Sequence, residues 1–552
     1  MMNYRDIESV EQLKNIYESV FENKKSVNSS LITEKEGDGK ADKDIEPSIF
    51  TGKETEVNYA DLKKVSNIFK HIVLFTNDRD PKNNKTLKNV YDAVEEMKKA
   101  KTEEIPEVHV FVAAEIDCSE DESEITIQDD KESFTIKEEN NTDTLVFSRL
   151  GVQGEYECEH AVKLLQDRGF LVLNPVQYAA IACNKYETAV LLQKAGIPQP
   201  NFTLMTKEIL YDEDSFSEAM HEVYKDWDDK DKDKNEDKDL VIKILDGHGG
   251  TGVFLSNGKK FYAVLQAIFA IKPNIQLIIQ KKEEADGGDI RVHVLTLKDR
   301  QVILAAMKRV KIGGDFRSNV SLGATAEKVK LTPEQEQIAL KTAKVSKMPW
   351  CAVDIMPIVK GTNKELGDNA VLEINASPGT DGISEVIGEN FVRVLISQLD
   401  DPKEFELQEK IAGYIESVDI DWGNGFKSYL AKLDTGNGTK GSSIEVGDYT
   451  IEDKNIKFSV DGKQYEFEIT DYSNAKTGDG DEKQTTKRPM ILVPRLKLGL
   501  RLLKNVRISI IKAREKTTNV LLNRNILSEL GYVVSPSKTH ILTPEMEKIK
   551  II

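Results

Sequence analysis

The segment AVLEINASPG, about two thirds of the way along the chain, carries residues well suited to binding a cation. In a strand the side chains alternate between two faces, so Val371, Glu373 and Asn375 are expected to share one face. Oxygen donors in such an apolar run are costly to bury unless something binds them. Mg²⁺ prefers oxygen ligands and usually takes one or two carboxylates together with substrate phosphates. The pattern therefore indicates a cation site.

Asp354, the lone acid within CAVDIM, is a natural third ligand on a neighbouring strand. Opposite charge comes from Arg291, Arg309 and Arg317, which could clamp a triphosphate and a developing acyl phosphate. Two simpler readings stay open. Each arginine taken singly is more often a surface residue, and the oxygen donors could be polar residues of an edge strand facing water.

A glycine-rich loop, DGHGGTG, follows the apolar run LVIKIL and contains the pattern GxGxxG at Gly247, Gly249 and Gly252. A dinucleotide-binding loop needs a helix directly after it, whereas VFLSNGKK predicts a strand and a turn. The phosphate-binding P-loop also fails, because Val253 and Phe254 stand where lysine and a hydroxyl residue are required. A protein kinase is disfavoured because neither an HRD-type catalytic loop nor DFG is present.

A strand–loop–strand hairpin instead suits a flap over a triphosphate, because glycine backbone N–H groups can approach phosphate oxygens closely. Lys243, a single cation in the apolar strand before the loop, would add a charge for the phosphates. The alternative is a tight hairpin with an exposed lysine.

Composition limits the function classes. The chain has 552 residues, which predicts three or four domains. The net charge of −18 argues against a general nucleic-acid or anionic-membrane binder. Apolar runs are too short for a membrane span, and the charged start has no secretory core. The four cysteines form no CxxC, which favours a reducing, cytoplasmic location.

The elements that must position these residues fall into blocks. Apolar runs such as HIVLF and TLVFSRLG alternate with helical periodicity, which predicts an α/β fold with a mostly parallel sheet. The next block is richer in strands, and TPEQ (332–335) predicts a capped helix start. The last block reads as all-β. The predicted organisation is a poorly ordered segment (1–65), an α/β domain (66–175), an α+β domain (176–400), a linker (401–412) and a β domain (413–545).

Residues of about 170–400 resemble the ATP-grasp fold, and in particular its RimK-type branch. The motifs that carry the resemblance are NKYETAVLLQKAGIPQP, LVIKILDGHGGTGV, GGDIRVHV, AAMKRV, GGDFRSN, AVDIMP and VLEINASPG. The resemblance implies that the preceding α/β block is a pre-ATP-grasp domain. It also implies an ATP-dependent ligase that activates a carboxylate as an acyl phosphate and joins it to an amine.

The resemblance also assigns roles. Arg291, Arg309 and Arg317 would be catalytic, with Arg291 and Arg309 stabilising the acyl phosphate. One or two Mg²⁺ or Mn²⁺ ions would be held by Asp354, Glu373 and Asn375. The residues expected to contact ATP are Lys185, Lys243, Gly247, Gly249, Gly250, Gly252, Gln280, Lys281, Asp289, Arg317, Ser318 and Asn319. Ile244 stands where the family usually has proline.

The C-terminal block resembles retropepsin-like aspartic proteases, in the RimB-type arrangement often called ATP-dependent zinc proteases. SYLAKLDTGNGTKGSS carries the active-site strand and loop, and NVLLNRNILSELG the later strand and helix. Such a protease needs two carboxylates sharing a proton. The chain has one DTG, at Asp434, so a homodimer must supply the second aspartate. Asn523 replaces the expected glycine.

Three functions are open. The first is an ATP-grasp ligase that adds an amino acid, glutamate-like, to a peptide or protein terminus, with a C-terminal domain that binds or trims peptides. The second is a bifunctional ligase and aspartic peptidase. The third is a non-catalytic peptide-binding protein. The expected partners are amino-acid and peptide substrates and further copies of the chain, with no general nucleic acid and no membrane.

Overall fold

A computed structural model describes most of the chain beyond its N-terminal segment. The described residues are 67–102, 104–119, 124–137, 140–150, 156–230, 232–246, 252–298, 300–310, 325–360, 366–405, 410–436, 441–460, 462–477, 484–513 and 518–543. The predicted N-terminal segment 1–65 lies outside them. The four cysteines, all within the described residues, are free thiols.

The first block is built on a four-stranded parallel sheet with the order β2-β1-β6-β7, and it carries a small antiparallel sheet, β3-β4-β5. Its elements are β1 (His71–Thr76), α1 (Lys85–Ala100), β2 (Glu107–Phe111), β3 (Glu115–Cys118), β4 (Glu124–Gln128), β5 (Ser133–Lys137), β6 (Thr144–Arg149), α2 (Tyr156–Asp167) and β7 (Leu171–Leu173). The parallel sheet agrees with the sequence prediction, whereas the small sheet was not predicted.

Helix α1 shows why this block folds as it does. Its N-cap Asn84 accepts a hydrogen bond from the backbone N–H of Leu87, which satisfies one of the free donors at the helix start. Its buried residues recur at helical spacing and pack on one face of the parallel sheet. The same core includes Trp350 and Phe391 from the next block, so the two blocks share apolar packing.

The second block contains two antiparallel sheets. The first has the order β10-β9-β11-β8. Its elements are α3 (Val176–Cys183), α4 (Lys185–Lys194), β8 (Phe202–Met205), α5 (Lys207–Tyr211), α6 (Glu213–Val223), β9 (Asp239–Ile244), β10 (Val253–Asn257), α7 (Gly258–Ile271) and β11 (Leu277–Lys281). Because β9 and β10 pair antiparallel on either side of the glycine loop, the predicted hairpin is confirmed.

The second antiparallel sheet has the order β14-β13-β12-β15-β16. Its elements are β12 (Asp289–Thr296), β13 (Gln301–Val310), β14 (Thr325–Lys328), α8 (Pro333–Ser346), β15 (Trp350–Pro357), β16 (Asn369–Asn375), α9 (Asp381–Ile387) and α10 (Phe391–Ser397). The predicted capping box is confirmed, because Thr332 and Gln335 bond each other's backbone N–H at the start of α8.

The third block is a β-barrel. Strands β17, β18, β26, β19, β25 and β24 pair in that order, and β24 pairs back with β17 to close the barrel. Its elements are β17 (Lys410–Asp421), β18 (Phe426–Asp434), β19 (Ser443–Val446), β20 (Tyr449–Glu452), β21 (Asn455–Val460), β22 (Lys463–Glu468), β23 (Asp471–Thr477), β24 (Gln484–Leu498), β25 (Arg501–Lys512), β26 (Val520–Asn523), α11 (Arg524–Glu529) and β27 (Tyr532–Thr539). None of the helices in the described part of the chain is long and apolar enough to span a bilayer.

Candidate functional site

Three oxygen-bearing side chains meet where β15 and β16 pair. Asp354 lies opposite Glu373, and Ala352 lies opposite Asn375. The amide nitrogen of Asn375 lies 3.2 Å from Asp354 Oδ2 and 3.4 Å from Glu373 Oε1. Asp354 is 1% exposed, whereas the Glu373 side chain is 39% exposed. The sheet therefore presents one buried and one accessible carboxylate on either side of an amide.

The alternation of β16 differs from the prediction at Val371. Glu373 and Asn375 both line the cleft described below, as expected, but Val371 packs into the same apolar core as Ile374. The register between β15 and β16 shifts after Asp354, so that Leu372 is an extra residue on β16. Such a bulge reverses the faces of the strand on its two sides, which explains why strict alternation gave the wrong face for Val371.

Behind the accessible carboxylate lies a buried network of arginines and acids. Arg291 binds Asp354 through two hydrogen bonds of 2.7 Å. Arg309 binds Asp289 through two bonds of 2.6 Å and donates a third, of 2.7 Å, to Asp354. Burial alone raises the pKa of Asp354, but the charges of Arg291 and Arg309 outweigh it and hold that pKa well below its usual range. Asp354 is therefore ionised at neutral pH.

The network separates residues that the sequence grouped together. Arg309 is 3% exposed and Asp289 is 4% exposed, and neither lines the cleft. Burial alone lowers the pKa of Arg309, but Asp354 and Asp289 outweigh it and raise that pKa above its ordinary value. Asp289, which was expected in the nucleotide pocket, lies behind Asp354 as the partner of Arg309. Arg291 is closer to the cleft, with Nη2 3.9 Å from Glu373 Oε1.

A cleft of about 320 Å³ lies in front of the carboxylates. Lys243 of β9 and Gln280 of β11 line it from one antiparallel sheet, and Glu373 and Asn375 line it from the other. Lys185, the first residue of α4, also lines it, and its backbone N–H donates to the carbonyl of Leu245 (3.0 Å). The cleft thus brings cationic and anionic side chains into one space.

Lys243 is perturbed by this setting. Its pKa is lowered to about 8, chiefly because burial disfavours the charged form. The charge of Glu373 raises this pKa, and the charge of Lys185 lowers it. In the described part of the chain no carboxylate forms a direct ion pair with Lys243. A cation that is desolvated in this way gains most from an anionic ligand, because ligand charge replaces the lost hydration.

Of the remaining residues predicted to contact the nucleotide, the structure describes some, and the others lie outside the described residues. Gly252 has a φ of +75°, which favours glycine, and a Cβ there would come within 2.6 Å of Ile244 Cδ1. Lys281 does not line the cleft; its Nζ lies 3.4 Å from Glu283 Oε1. The predicted contacts outside the described residues are Gly247, Gly249, Gly250, Arg317, Ser318 and Asn319.

Sequence reasoning missed Arg149, which ends β6 and lines the cleft together with Asn77 and Ser377. Its Nη2 donates to Thr86 Oγ1 (3.2 Å), and its guanidinium lies 5.7 Å from the centre of the Trp350 ring. Its Nη1 is buried without a hydrogen-bond partner among the described residues, and burial lowers its pKa to about 10. The available signal was its position, because ligands of parallel sheets bind at the carboxyl ends of the strands.

Asp434 ends β18, beside Asn523 of β26. Its Oδ1 accepts a hydrogen bond from the backbone N–H of Gly436 (3.1 Å). The next residue, Thr435, lines a second cleft of about 1010 Å³ together with Arg524. The same cleft is also lined by Asn141 of the first block, Lys298 of the second and Phe405 of the segment that leads to the barrel.

Asn523 has a structural role in the barrel. Its side-chain oxygen accepts hydrogen bonds from the backbone N–H of Ile526 (3.2 Å) and from Ser442 Oγ (2.9 Å). Its own backbone N–H donates to Ser442 Oγ (3.0 Å), and the residue is 2% exposed. Asn523 therefore caps α11 and does not project into the cleft beside Thr435.

Comparison with known proteins finds similarities that are confined largely to the central block. Residues 182–399 match the family model of the RimK-like ATP-grasp domain. A "Probable alpha-L-glutamate ligase" of Vibrio atlanticus is 40% identical over 152 residues, which are 27% of this chain and 46% of that protein. A "Probable alpha-L-glutamate ligase 2" of Shewanella amazonensis is 36% identical over 180 residues, 32% of this chain and 50% of that protein. The chain spans about half the length of the curated relatives it matches.

Solved structures give weaker similarities. The ATP-grasp ligase PsnB, complexed with a phosphomimetic variant of minimal precursor, Mg and ADP, is 18% identical, with a TM-score of 0.41; the match covers 60% of this chain and 98% of that one. D-alanyl-alanine synthetase A of Vibrio cholerae is 14% identical, with a TM-score of 0.40, and the match covers 60% of this chain and 99% of that one.

Proposed function

We propose that the chain is an ATP-dependent ligase that joins a carboxylate to an amine through an acyl phosphate. In this reaction a carboxylate oxygen of the acid substrate attacks the γ-phosphorus of ATP, and ADP leaves. The amine nitrogen then attacks the acyl carbon, phosphate leaves with the former carboxylate oxygen, and the amine loses a proton. The products are an amide, ADP and phosphate, and no protein side chain forms a covalent bond.

The observation that carries this proposal is the meeting of opposite charges in one cleft. Lys185 and Lys243 line it beside Glu373 and Asn375. Phosphoryl transfer depends on positioning and on neutralising charge at the phosphates, so it requires cations for the phosphates and oxygen donors for a metal ion. The family-model match over residues 182–399 supports the same chemistry.

The donor set fits a divalent cation. Asp354 and Glu373 supply carboxylate oxygens within 3.2 and 3.4 Å of the Asn375 amide, and a half-turn of that amide would present its oxygen instead. Mg²⁺ or Mn²⁺, as one or two ions, would be held by these three side chains. When bound, such an ion neutralises charge on the triphosphate and on the phosphoryl group in transfer.

The surrounding cations divide the remaining work. Lys243 and Lys185 would bind phosphate oxygens, because a pKa of about 8 leaves Lys243 mostly protonated at neutral pH. Arg291, next to Glu373, would donate to the acyl phosphate. Arg309 would act through Asp354 as a positioning residue. We also propose nucleotide contacts for Gln280 and for the glycine loop that ends at Gly252.

For the substrates, we propose an acid–amino-acid ligase that adds a glutamate-like amino acid to a peptide or protein terminus. The names of the relatives, probable alpha-L-glutamate ligases, support this class. Arg149 lines the cleft, and its buried Nη1 has no hydrogen-bond acceptor among the described residues. A substrate carboxylate would satisfy that donor through a charge-assisted hydrogen bond.

The test is an ADP-release assay on the full chain, with ATP, Mg²⁺ and a panel of amino acids and peptides. We expect ADP release that depends on both an acid and an amine substrate. Glu373→Ala is expected to lower the rate by about 10²-fold or more, because it removes the accessible metal ligand. Glu95→Ala is the matched control, since this exposed glutamate of α1 pairs with the exposed Lys98. Absence of substrate-dependent ADP release across the panel, or equal rates for the two variants, would contradict the proposal.

A second function is favoured by the cleft beside Thr435. We propose that the barrel binds the peptide that the ligase extends, and that Asp434 of two copies trims it when they pair. Support comes from the position of Asp434 at a strand end next to a cleft of about 1010 Å³. Because hydrolysis by the aspartic-protease mechanism needs two carboxylates sharing a proton, the proposed trimming requires a dimer.

The barrel is tested by mass spectrometry of the ligase products after long incubation, with Asp434→Asn as the variant. We expect the wild-type chain to shorten its products at a rate that rises with protein concentration. The variant should retain full ADP release and lose the shortening. Shortening that persists in Asp434→Asn would contradict trimming by Asp434. Peptide binding by the barrel is tested separately, by substituting residues that line the cleft beside Thr435, such as Arg524→Ala. Unchanged peptide affinity in these variants would contradict peptide binding.

A further inference from the structure

The first sheet carries, at the N-terminal ends of β1 and β2, a cluster of side chains that the proposed ligase chemistry does not use. His71 begins β1 and Glu107 begins β2, and they are register partners. His109 follows two residues later on the same face of β2. One ligand atom from each of the three lies within 4.8 Å of the other two. In the parts of the chain that the structure describes, no other group of three histidine, cysteine, aspartate or glutamate side chains comes this close.

We propose that His71, Glu107 and His109 form a binding site for one divalent ion of the zinc class. Two imidazoles and one carboxylate, with an open position for water, are a common donor set for Zn²⁺. The site is separate from the proposed Mg²⁺ site, whose donors are carboxylates and an amide, and it does not depend on the ligase proposal.

The distances fit an ion after a small movement of an exposed side chain. Glu107 Oε2 lies 3.8 Å from His71 Nδ1 and 3.9 Å from His109 Nε2. Ligands about 2.0–2.2 Å from a tetrahedral ion lie roughly 3.4 Å apart. Glu107 is 73% exposed, so it can close this gap without disturbing the core.

The two imidazole nitrogens that face Glu107 are otherwise unsatisfied. His71 Nδ1 and His109 Nε2 are buried and have no hydrogen-bond partner among the described residues. Buried polar atoms of this kind are rare in folded proteins, and each calls for an explanation such as an ion. A shared ion would satisfy both nitrogens at once.

The surroundings of His109 match those of a metal ligand. Its other nitrogen, Nδ1, lies 2.9 Å from Glu132 Oε1, and Glu132 also accepts a hydrogen bond from the backbone N–H of Val110 (3.1 Å). A carboxylate that receives the second N–H of a histidine fixes the tautomer and turns the free nitrogen towards the metal. Phe134 stacks on the His109 ring, with centroids 3.6 Å apart. The orientation of His109 is therefore set from β5 and the turn before it.

Bound there, the ion would tie the first residues of β1 and β2 together and, through Glu132, to the small sheet β3-β4-β5. Anything that binds only the folded chain stabilises it by mass action. We therefore infer that binding of the ion stabilises the fold by holding the small sheet against the parallel sheet.

The test is calorimetric titration of the full chain with Zn²⁺, after treatment with a chelator and without nucleotide. We expect one ion per chain and a melting temperature that rises with Zn²⁺. His71→Ala and His109→Ala should each weaken binding at least tenfold, and Glu132→Gln about 10–100-fold. Co²⁺ bound in place of Zn²⁺ should give the visible absorption of an ion with few ligands. The two histidine variants should lose this absorption. His221→Ala is the matched control, because His221 also lies beside a carboxylate, Asp229, at 3.1 Å.

Three outcomes would overturn the inference. One is absence of Zn²⁺ binding to the chelator-treated chain, and another is unchanged affinity in the two histidine variants. The third is a loss of Zn²⁺ binding in Glu373→Ala and not in the histidine variants, which would locate the ion in the cleft beside Glu373. If the histidine variants fail to fold, Zn²⁺ affinity is measured in Glu107→Gln, which changes an exposed side chain, and in Glu132→Gln. Wild-type affinity in both of these variants would also exclude the site. ADP release is measured separately, so its failure leaves the zinc result independent.

Discussion

The network behind the cleft and the end of the barrel at Asp434 each contain a carboxylate on a strand, but they hold it differently. In the cleft, Asp354 is bound by Arg291 and Arg309 across three paired strands. Asp434 has a single hydrogen bond, from the Gly436 backbone, among the interactions of the described residues. Among the described residues, two arginines fix the first carboxylate, whereas no side chain forms a hydrogen bond or ion pair with the second.

This difference indicates where each site obtains its charge. Paired arginines keep Asp354 ionised and oriented before any ligand arrives, which is the preorganisation that phosphoryl transfer requires. A protease built on one aspartate per chain needs the second from another copy. We therefore expect substitutions in the cleft network to affect folding as well as activity, and substitutions at the barrel end to affect function with little loss of stability.

The largest effect is expected for Arg309→Leu. Arg309 is 3% exposed and pairs with Asp289 and Asp354, so its removal leaves two buried carboxylates without their shared cation. Breaking a buried ion pair on one side typically costs about 3–5 kcal/mol. The free energy of unfolding is measured by urea titration monitored by circular dichroism.

Lys88→Leu is the control for Arg309→Leu, because it removes an exposed pair with Asp92 on α1. Surface pairs of this kind contribute less than about 1 kcal/mol. Equal losses of stability in the two variants would mean that the buried network does not fix Asp354, and the contrast between the two regions would fail.

An intermediate effect is expected for Lys243. Because burial lowers its pKa to about 8, the free enzyme should lose ATP affinity as the pH rises above 8 and the ammonium loses its proton. Lys243→Arg should keep its affinity through that range, and Lys243→Met should be weak at every pH, by roughly 10–100-fold. ATP affinity measured by calorimetry from pH 6.5 to about 9.5 would check this.

The same lowered pKa has a consequence for stability. The unfolded chain keeps the Lys243 proton up to about pH 10.5, whereas the folded chain releases it near 8. The unfolded state therefore binds more protons between these values, so this residue makes stability rise with pH there. Lys243→Met should remove that contribution, and an identical pH dependence in both chains would contradict the assigned environment.

The smallest effects are expected at the barrel end. Asn523→Ala should cost about 1 kcal/mol, because it removes the cap of α11 and the partner of Ser442. Asp434→Asn should change stability by less than about 0.5 kcal/mol, because Asp434 lies outside the core and has a single hydrogen bond among the described residues. Urea unfolding of the two variants side by side measures the difference. A larger loss for Asp434→Asn would show that this carboxylate supports the fold.

Local patterns predicted much of the molecule. The hairpin around the glycine loop, the capped start of α8 and the parallel strands of the first block depend on neighbouring residues, and they are present. The face assigned to Val371 was wrong because a bulge depends on how β16 pairs with β15. Arg149 was missed because only packing of the first sheet against the second block brings it to the cleft.

The sequence by itself determined the block order and the residue types available for chemistry, because strand alternation, helix caps and motif spacing are properties of adjacent residues. The tertiary structure alone decided which charges meet. It paired Arg309 with Asp289 behind Asp354, and it brought His71 to Glu107 and His109. Such partners are far apart along the chain, and their contact depends on sheet register and packing, which no local pattern encodes.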